Sequence, residues 1–155
     1  MRRWHLVMLA LLVAGCSTAP APRAASSAGS CGSTPVLRGA LPVWLNKPGN
    51  PVDLPYVLAN PPQAAAFLFA QPLRAGHPEN PSNKILWEVD ALPYGPSLDL
   101  VAHPTGSATP SISQSVGFLP SGDLPSIVDV PQAACWHFDL SWSGIWPRST
   151  FSISS

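Results

Sequence analysis

The clearest alternation of apolar and polar residues in this chain runs from Cys135 to Ser143. Trp136, Phe138, Leu140 and Trp142 take one parity; His137, Asp139, Ser141 and Ser143 take the other. Successive side chains of a β-strand point to opposite faces, so this pattern predicts a strand with one face in a core. Lys84 to Asp90 repeats it, with Ile85, Trp87 and Val89 on one side and Lys84, Glu88 and Asp90 on the other. In Ser97 to Ala102, Leu98, Leu100 and Ala102 alternate with Ser97 and Asp99, and Val101 breaks the polar face. Ser149 to Ser154 alternates through Phe151 and Ile153, and residues 111–118 and 126–130 give weaker strand patterns. Ala64 to Ala70 is apolar throughout. Its period fits a buried strand or one buried helical turn, and its length favours the strand. Pro93-Tyr94-Gly95-Pro96, Pro120-Ser121-Gly122-Asp123 and Ser143-Gly144 read as turns between these runs.

About seven short strands separated by turns predict an all-β fold, an antiparallel β-sandwich, with a small β-barrel as the alternative. Twenty prolines in 155 residues strengthen that reading. Each would cost a helix interior about 3 kcal/mol, and their spread leaves little room for a helix longer than two turns. Residues 41–62 read as short extended pieces joined by turns, and 71–83 as a polar loop.

The segment Val130-Pro131-Gln132-Ala133-Ala134-Cys135-Trp136-His137-Phe138 resembles the corner that opens the penultimate strand of bacterial immunoglobulin-like domains. That corner carries a Pro-x-x-Gly-x-aromatic pattern, and Ala134 stands here at the glycine position. The resemblance covers about 30 residues at the C-terminal end. It implies an immunoglobulin-like sandwich, in which the third strand pairs with the penultimate one in the same sheet. Taking residues 84–90 as the third strand and 135–143 as the penultimate one, Trp87 and Phe138 would meet in the core. The other side of that sheet would gather Lys84, Leu86, Glu88, His137, Asp139 and Ser141 into one recognition face.

The N-terminus has a different character. Arg2 and Arg3 precede an uncharged apolar run from Leu6 to Ala14, too short for a membrane-spanning helix of about 20 residues. It ends in Val13-Ala14-Gly15-Cys16. Charge, apolar core, small residues and cysteine in this order resemble a bacterial lipoprotein signal peptide; an ordinary secretory signal with a coincidental cysteine is the alternative. The resemblance implies cleavage after residue 15 and lipidation of Cys16, palmitate included. The protein would sit at the cell envelope, facing outside the cytoplasm. Its anchor would lie in the outer leaflet of the plasma membrane or, as Ser17 permits, in an outer membrane. Two or more acyl chains anchor stably where one does not. Residues 16–33 hold no large apolar side chain and read as anchor and tether, leaving 34–155 as the folded domain.

The chain carries eight basic and eight acidic residues. Removal of Arg2 and Arg3 leaves six against eight, a balance with nothing to attract nucleic acid. With Cys16 assigned to lipid, Cys31 and Cys135 remain, and export to an oxidising compartment makes a disulfide the simple reading, against two free thiols.

Evidence for catalysis is thin. The chain has no Gly-x-Ser-x-Gly, no phosphate loop, no dinucleotide fingerprint, no His-Glu-x-x-His and no Cys-x-x-Cys. His77 and His103 each precede a proline and read as solvated turn residues. His137 and Asp139, two apart on a strand, would form half of a metal site or a plain polar stripe. Glu88 and Asp90 read as solvated strand charges. Trp87, Trp136 and Trp142 belong to core faces, which leaves Trp44 and Trp146 as the aromatic residues a sugar-binding surface would use. The resulting expectation is a lipid-anchored, non-enzymatic binding or structural module without cofactor or metal, facing an envelope protein partner. A carbohydrate or peptidoglycan binder is the second reading. A metal-assisted hydrolase is the third, to be recognised by a cleft joining His103, His137 and a carboxylate.

Overall fold

A computed structural model of the chain describes residues 30–32, 34–76, 83–90, 97–142 and 149–155. Cys16, His77, Trp146 and the turns expected at 93–96 and 143–144 lie outside the described residues. Among the described residues, no helix is long and apolar enough to cross a membrane.

Ten strands form. They are β1 (Ser30–Cys31), β2 (Thr34–Pro35), β3 (Tyr56–Leu58), β4 (Ala64–Leu68), β5 (Lys84–Val89), β6 (Ser97–Pro104), β7 (Ile112–Gly117), β8 (Leu124–Ile127), β9 (Cys135–Trp142) and β10 (Ser149–Ser154). A short 3-10 helix spans Val43–Leu45. Strands β1 and β2 form a small hairpin. The others make two antiparallel four-stranded sheets, sheet I in the order β3-β4-β5-β8 and sheet II in the order β10-β9-β6-β7.

The sheets pack face to face as a β-sandwich. Ile85, Trp87 and Val89 of sheet I meet Leu98, Leu100, Ala102, Trp136, Phe138, Leu140, Phe151 and Ile153 of sheet II in one buried cluster. At its centre Trp87 lies 5.9 Å from Phe138 and 5.7 Å from Phe151, ring centroid to centroid. The indole N–H of Trp87 donates to Ser126 Oγ at 2.7 Å, so its polar atom is satisfied inside the core. The alternation in β5, β6, β9 and β10 is therefore a record of this one interface.

Counted from β4, the second and fifth strands pair, as do the third and sixth and the sixth and seventh. These are the B–E, C–F and F–G pairings of immunoglobulin-like sandwiches. Here the fourth strand, β7, pairs with the third. The pairing rule expected from the sequence holds, but the strand assigned to it was wrong: β6 pairs with β9, whereas residues 84–90 belong to sheet I. Strand β3 is the cause. It adds to the outside of β4 and shifts the count by one. Trp87 and Phe138 meet across the sandwich, not side by side in one sheet.

Sheet I is covered on both faces over β3, β4 and much of β5, while Pro125 and Ile127 on the outer side of β8 stay exposed. Residues 36–55 fold over its outer side, where Leu45, Tyr56, Ala65 and Phe67 form a second buried cluster with Leu37, Leu41, Trp44, Leu54, Leu58 and Leu86. The Tyr56 hydroxyl donates to the Ala40 carbonyl at 2.7 Å, and Asn50 Nδ2 donates to the Leu45 carbonyl at 2.7 Å, pinning this cover. Every residue of β4 is consequently buried, Ala64, Ala66 and Leu68 in the main core and Ala65 and Phe67 in the second. Continuous apolar character is what two-sided burial requires of a strand.

Strand β1 lies ahead of residue 34 in the chain. Ser30 and Cys31 pair with Pro35 and Thr34, and Cys31 is bonded to Cys135 at a Cα separation of 5.4 Å. This disulfide lies outside the sandwich interface, on the outer parity of β9, and holds the β1–β2 hairpin against β10.

Candidate functional site

Sheet II turns one face to the core and the other outward. On β9 the outward positions are Cys135, His137, Asp139 and Ser141; on β6 they include Asp99, Val101 and His103. Register does the rest. His103 is the direct cross-strand partner of His137, and Val101 is the partner of Asp139. Directly opposite side chains have Cβ atoms about 4.5–5.5 Å apart, and diagonal neighbours remain within reach. Two imidazoles and one carboxylate are thus placed together by β6 and β9, the two inner strands of sheet II.

The three groups converge. His103 Nε2 lies 3.8 Å from Asp139 Oδ2, and His137 Nε2 lies 3.6 Å from Asp139 Oδ1. The imidazole rings are 5.3 Å apart, tilted by 42°. One ligating atom from each residue falls within 4.8 Å of the other two. All three side chains are close to 30% exposed, open to solvent on one side and supported on the other by strand residues rooted in the core.

The ring orientations have identifiable causes. His103 Nδ1 lies 3.1 Å from the Pro104 carbonyl. A carbonyl only accepts, so Nδ1 carries the hydrogen and, in the neutral ring, Nε2 keeps its lone pair. His137 Nδ1 lies 3.3 Å from Ser152 Oγ on β10, and the Ser152 N–H donates to Thr34 Oγ1 at 3.1 Å. The disulfide-held hairpin therefore abuts the residue that orients His137.

The recognition face expected from the sequence does not assemble. His137 and Asp139 occupy the outer face of sheet II. Leu86 and Glu88 belong to sheet I, and the cover over that sheet takes in both: Leu86 packs against the second cluster, and the Glu88 side chain is 3% exposed. Glu88 is thus not the solvated strand charge its parity suggested. Its carboxylate pairs with Lys47 of the cover at 3.1 Å, beside Asn50 and Asp123 in a small polar pocket. Burial raises the Glu88 pKa above its ordinary value of 4.5; Lys47 pulls it down, and the nearby Asp123 charge pushes it up again.

Of the remaining expected site residues, Cys31 and Cys135 form their disulfide, and Cys16 lies outside the described residues. Trp44 is half-buried against the second cluster. His103, read from the sequence as a solvated turn residue and joined to His137 and a carboxylate only in the third reading, is a strand residue here and does meet His137 and Asp139, on an open sheet face. Pro104 suggested a turn, yet β6 continues through both residues, with Pro104 as its last. The available signal was parity: Asp99, Val101 and His103 continue the outward series opposite Leu98, Leu100 and Ala102.

The fold and the site define an antiparallel β-sandwich with a cross-strand two-histidine, one-carboxylate group on its open face. Compared with known proteins, the chain matches no family model, no curated protein and no solved structure.

Proposed function

We propose that this protein is exported, is held at the cell envelope by lipid on Cys16, and acts there as a binding module through the outer face of sheet II. The observation that carries the reading is the Val13-Ala14-Gly15-Cys16 junction behind a charged and then apolar N-terminal segment. The Cys31–Cys135 disulfide supports it, because such bonds persist in exported proteins and are rare in reducing compartments. The choice of face follows from what each sheet presents. Residues 36–55 cover β3, β4 and much of β5 and leave Pro125 and Ile127 of β8 open, whereas the outside of sheet II gathers Val101, 42% exposed, beside His103, His137 and Asp139. A protein partner fits this mixed apolar and polar surface. Binding is preferred to metal-assisted hydrolysis because the three groups meet on an open sheet face and not in a cleft.

The test is metabolic labelling with a palmitate analogue, followed by crosslinking of the cell envelope and recovery of partners. Wild type should be labelled and Cys16→Ala should not. Partners should be lost with Val101→Lys and kept with Val43→Lys, whose side chain is 94% exposed on the cover of sheet I. Equal labelling of wild type and Cys16→Ala refutes the anchor; equal partner recovery from both surface variants refutes the face.

A further inference from the structure

We propose that His103, His137 and Asp139 form a binding site for a divalent first-row transition cation of the zinc class. The proposal concerns the folded domain and does not depend on how the chain is held at a membrane.

The donor set comes first. Imidazole nitrogen with a carboxylate suits zinc and its neighbours, whereas calcium and magnesium take oxygen ligands. Three protein ligands leave further positions for water or a ligand from a partner. Geometry comes second. Zinc binds nitrogen and oxygen at about 2.0–2.2 Å, so tetrahedral ligands stand roughly 3.4 Å from one another. His103 Nε2 is 3.8 Å from Asp139 Oδ2 and His137 Nε2 is 3.6 Å from Asp139 Oδ1, and a set of one donor atom per residue lies within 4.8 Å. A bound ion would draw the three donors together by up to about 1.4 Å, and all three sit on side chains with rotatable bonds.

Preorganisation comes third. A ligating histidine characteristically gives its other ring nitrogen to a carbonyl, carboxylate or similar partner, which fixes the tautomer and the ring plane. His103 has that partner in the Pro104 carbonyl, and His137 has one in Ser152 Oγ. Both Nε2 atoms are thereby turned toward the same carboxylate. A merely solvated polar stripe would need none of these orienting contacts. The strands beneath are fixed as well, since Ala102, Phe138 and Leu140, each next to a ligand position, are fully buried.

The experiment is calorimetric titration of ZnCl₂ into the full chain in detergent, with a parallel cobalt(II) titration read by visible absorption. Wild type should bind one ion per chain. His103→Ala, His137→Ala and Asp139→Asn should each remove that event, while His77→Ala, a histidine control outside the described residues, should retain it. Ser152→Ala removes an orienting partner, and its affinity should fall on the order of 10–100-fold. Thermal melts without metal establish that each variant is folded. If a ligand variant fails that check, the wild-type cobalt spectrum decides by itself: intense tetrahedral bands with nitrogen ligation support the site. An absent wild-type event, or one that survives in folded His103→Ala and His137→Ala, overturns it.

Discussion

Lys47→Met removes the cation facing a carboxylate that is 3% exposed. Lys47 Nζ and Glu88 Oε2 are 3.1 Å apart, and Lys47 itself is half-exposed. At an effective dielectric constant of 20 the gross attraction at that distance is about 5 kcal/mol, and solvent around Lys47 screens much of it. Hydrogen bonds to charged groups contribute roughly 1.5–3 kcal/mol, so a loss of about 1–3 kcal/mol is expected at neutral pH. The effect is tied to pH. Folding raises the Glu88 pKa, so the folded protein holds this proton more tightly than the unfolded chain. The stability linked to that proton is complete below pH 4.5 and is lost as the pH rises through the higher folded value. Without Lys47 the folded value rises further and the loss steepens. Urea unfolding of wild type and Lys47→Met should therefore diverge most near pH 7–8 and converge below the ordinary carboxylate range of about 4. Adding Glu88→Gln to Lys47→Met should recover most of the stability, because no buried charge is left unpaired. A Lys47→Met deficit that is the same at pH 4 and pH 7, or a double variant no better than the single one at pH 7, refutes the reasoning.

The disulfide and the two-sided strand give further expectations. Cys31→Ser opens a bond joining residues 104 apart and should cost about 2–5 kcal/mol in chemical denaturation. It should also raise amide exchange in the β1–β2 hairpin first, and an unchanged midpoint would argue against the bond. Ala65→Leu and Ala66→Leu should each destabilise by about 1–3 kcal/mol although they point to opposite faces of β4; a neutral Ala65→Leu would mean the outside of sheet I is not packed.

Much of the sandwich was legible because its strands have one wet side. In β9, Trp136, Phe138, Leu140 and Trp142 are buried and His137, Asp139 and Ser141 are half-exposed, as their parity required. The corner before β9 was legible too. The Trp136 indole donates to the Gln132 carbonyl at 3.1 Å, and Ser155 Oγ accepts from the Ala134 N–H at 2.8 Å, so residues 131–134 turn the chain into the strand at that point. What parity conveys is which side of a strand is covered, and it is silent about what covers the other side. Glu88 sits at an outward position of β5, and a glutamate there is read as solvated until Lys47 and Asn50 are seen to close over it. Asn83 is a similar case. In a segment read as a polar loop it is fully buried, its amide exchanging two hydrogen bonds with the Arg74 backbone.

The all-β class, most of the strands, their inward residues and the pairing of Cys31 with Cys135 could be read along the chain alone. These depend on local alternation, on proline, and on the small number of cysteines. Tertiary structure alone decided which strands are neighbours, because β3 adds to an edge and every later strand is counted differently. For the same reason it alone decided that Leu86 and Glu88 stand apart from His137 and Asp139, and that His103 joins them. Residues 34 positions apart become partners only through the register of β6 on β9, and register is a property of two strands together that neither carries in its own pattern.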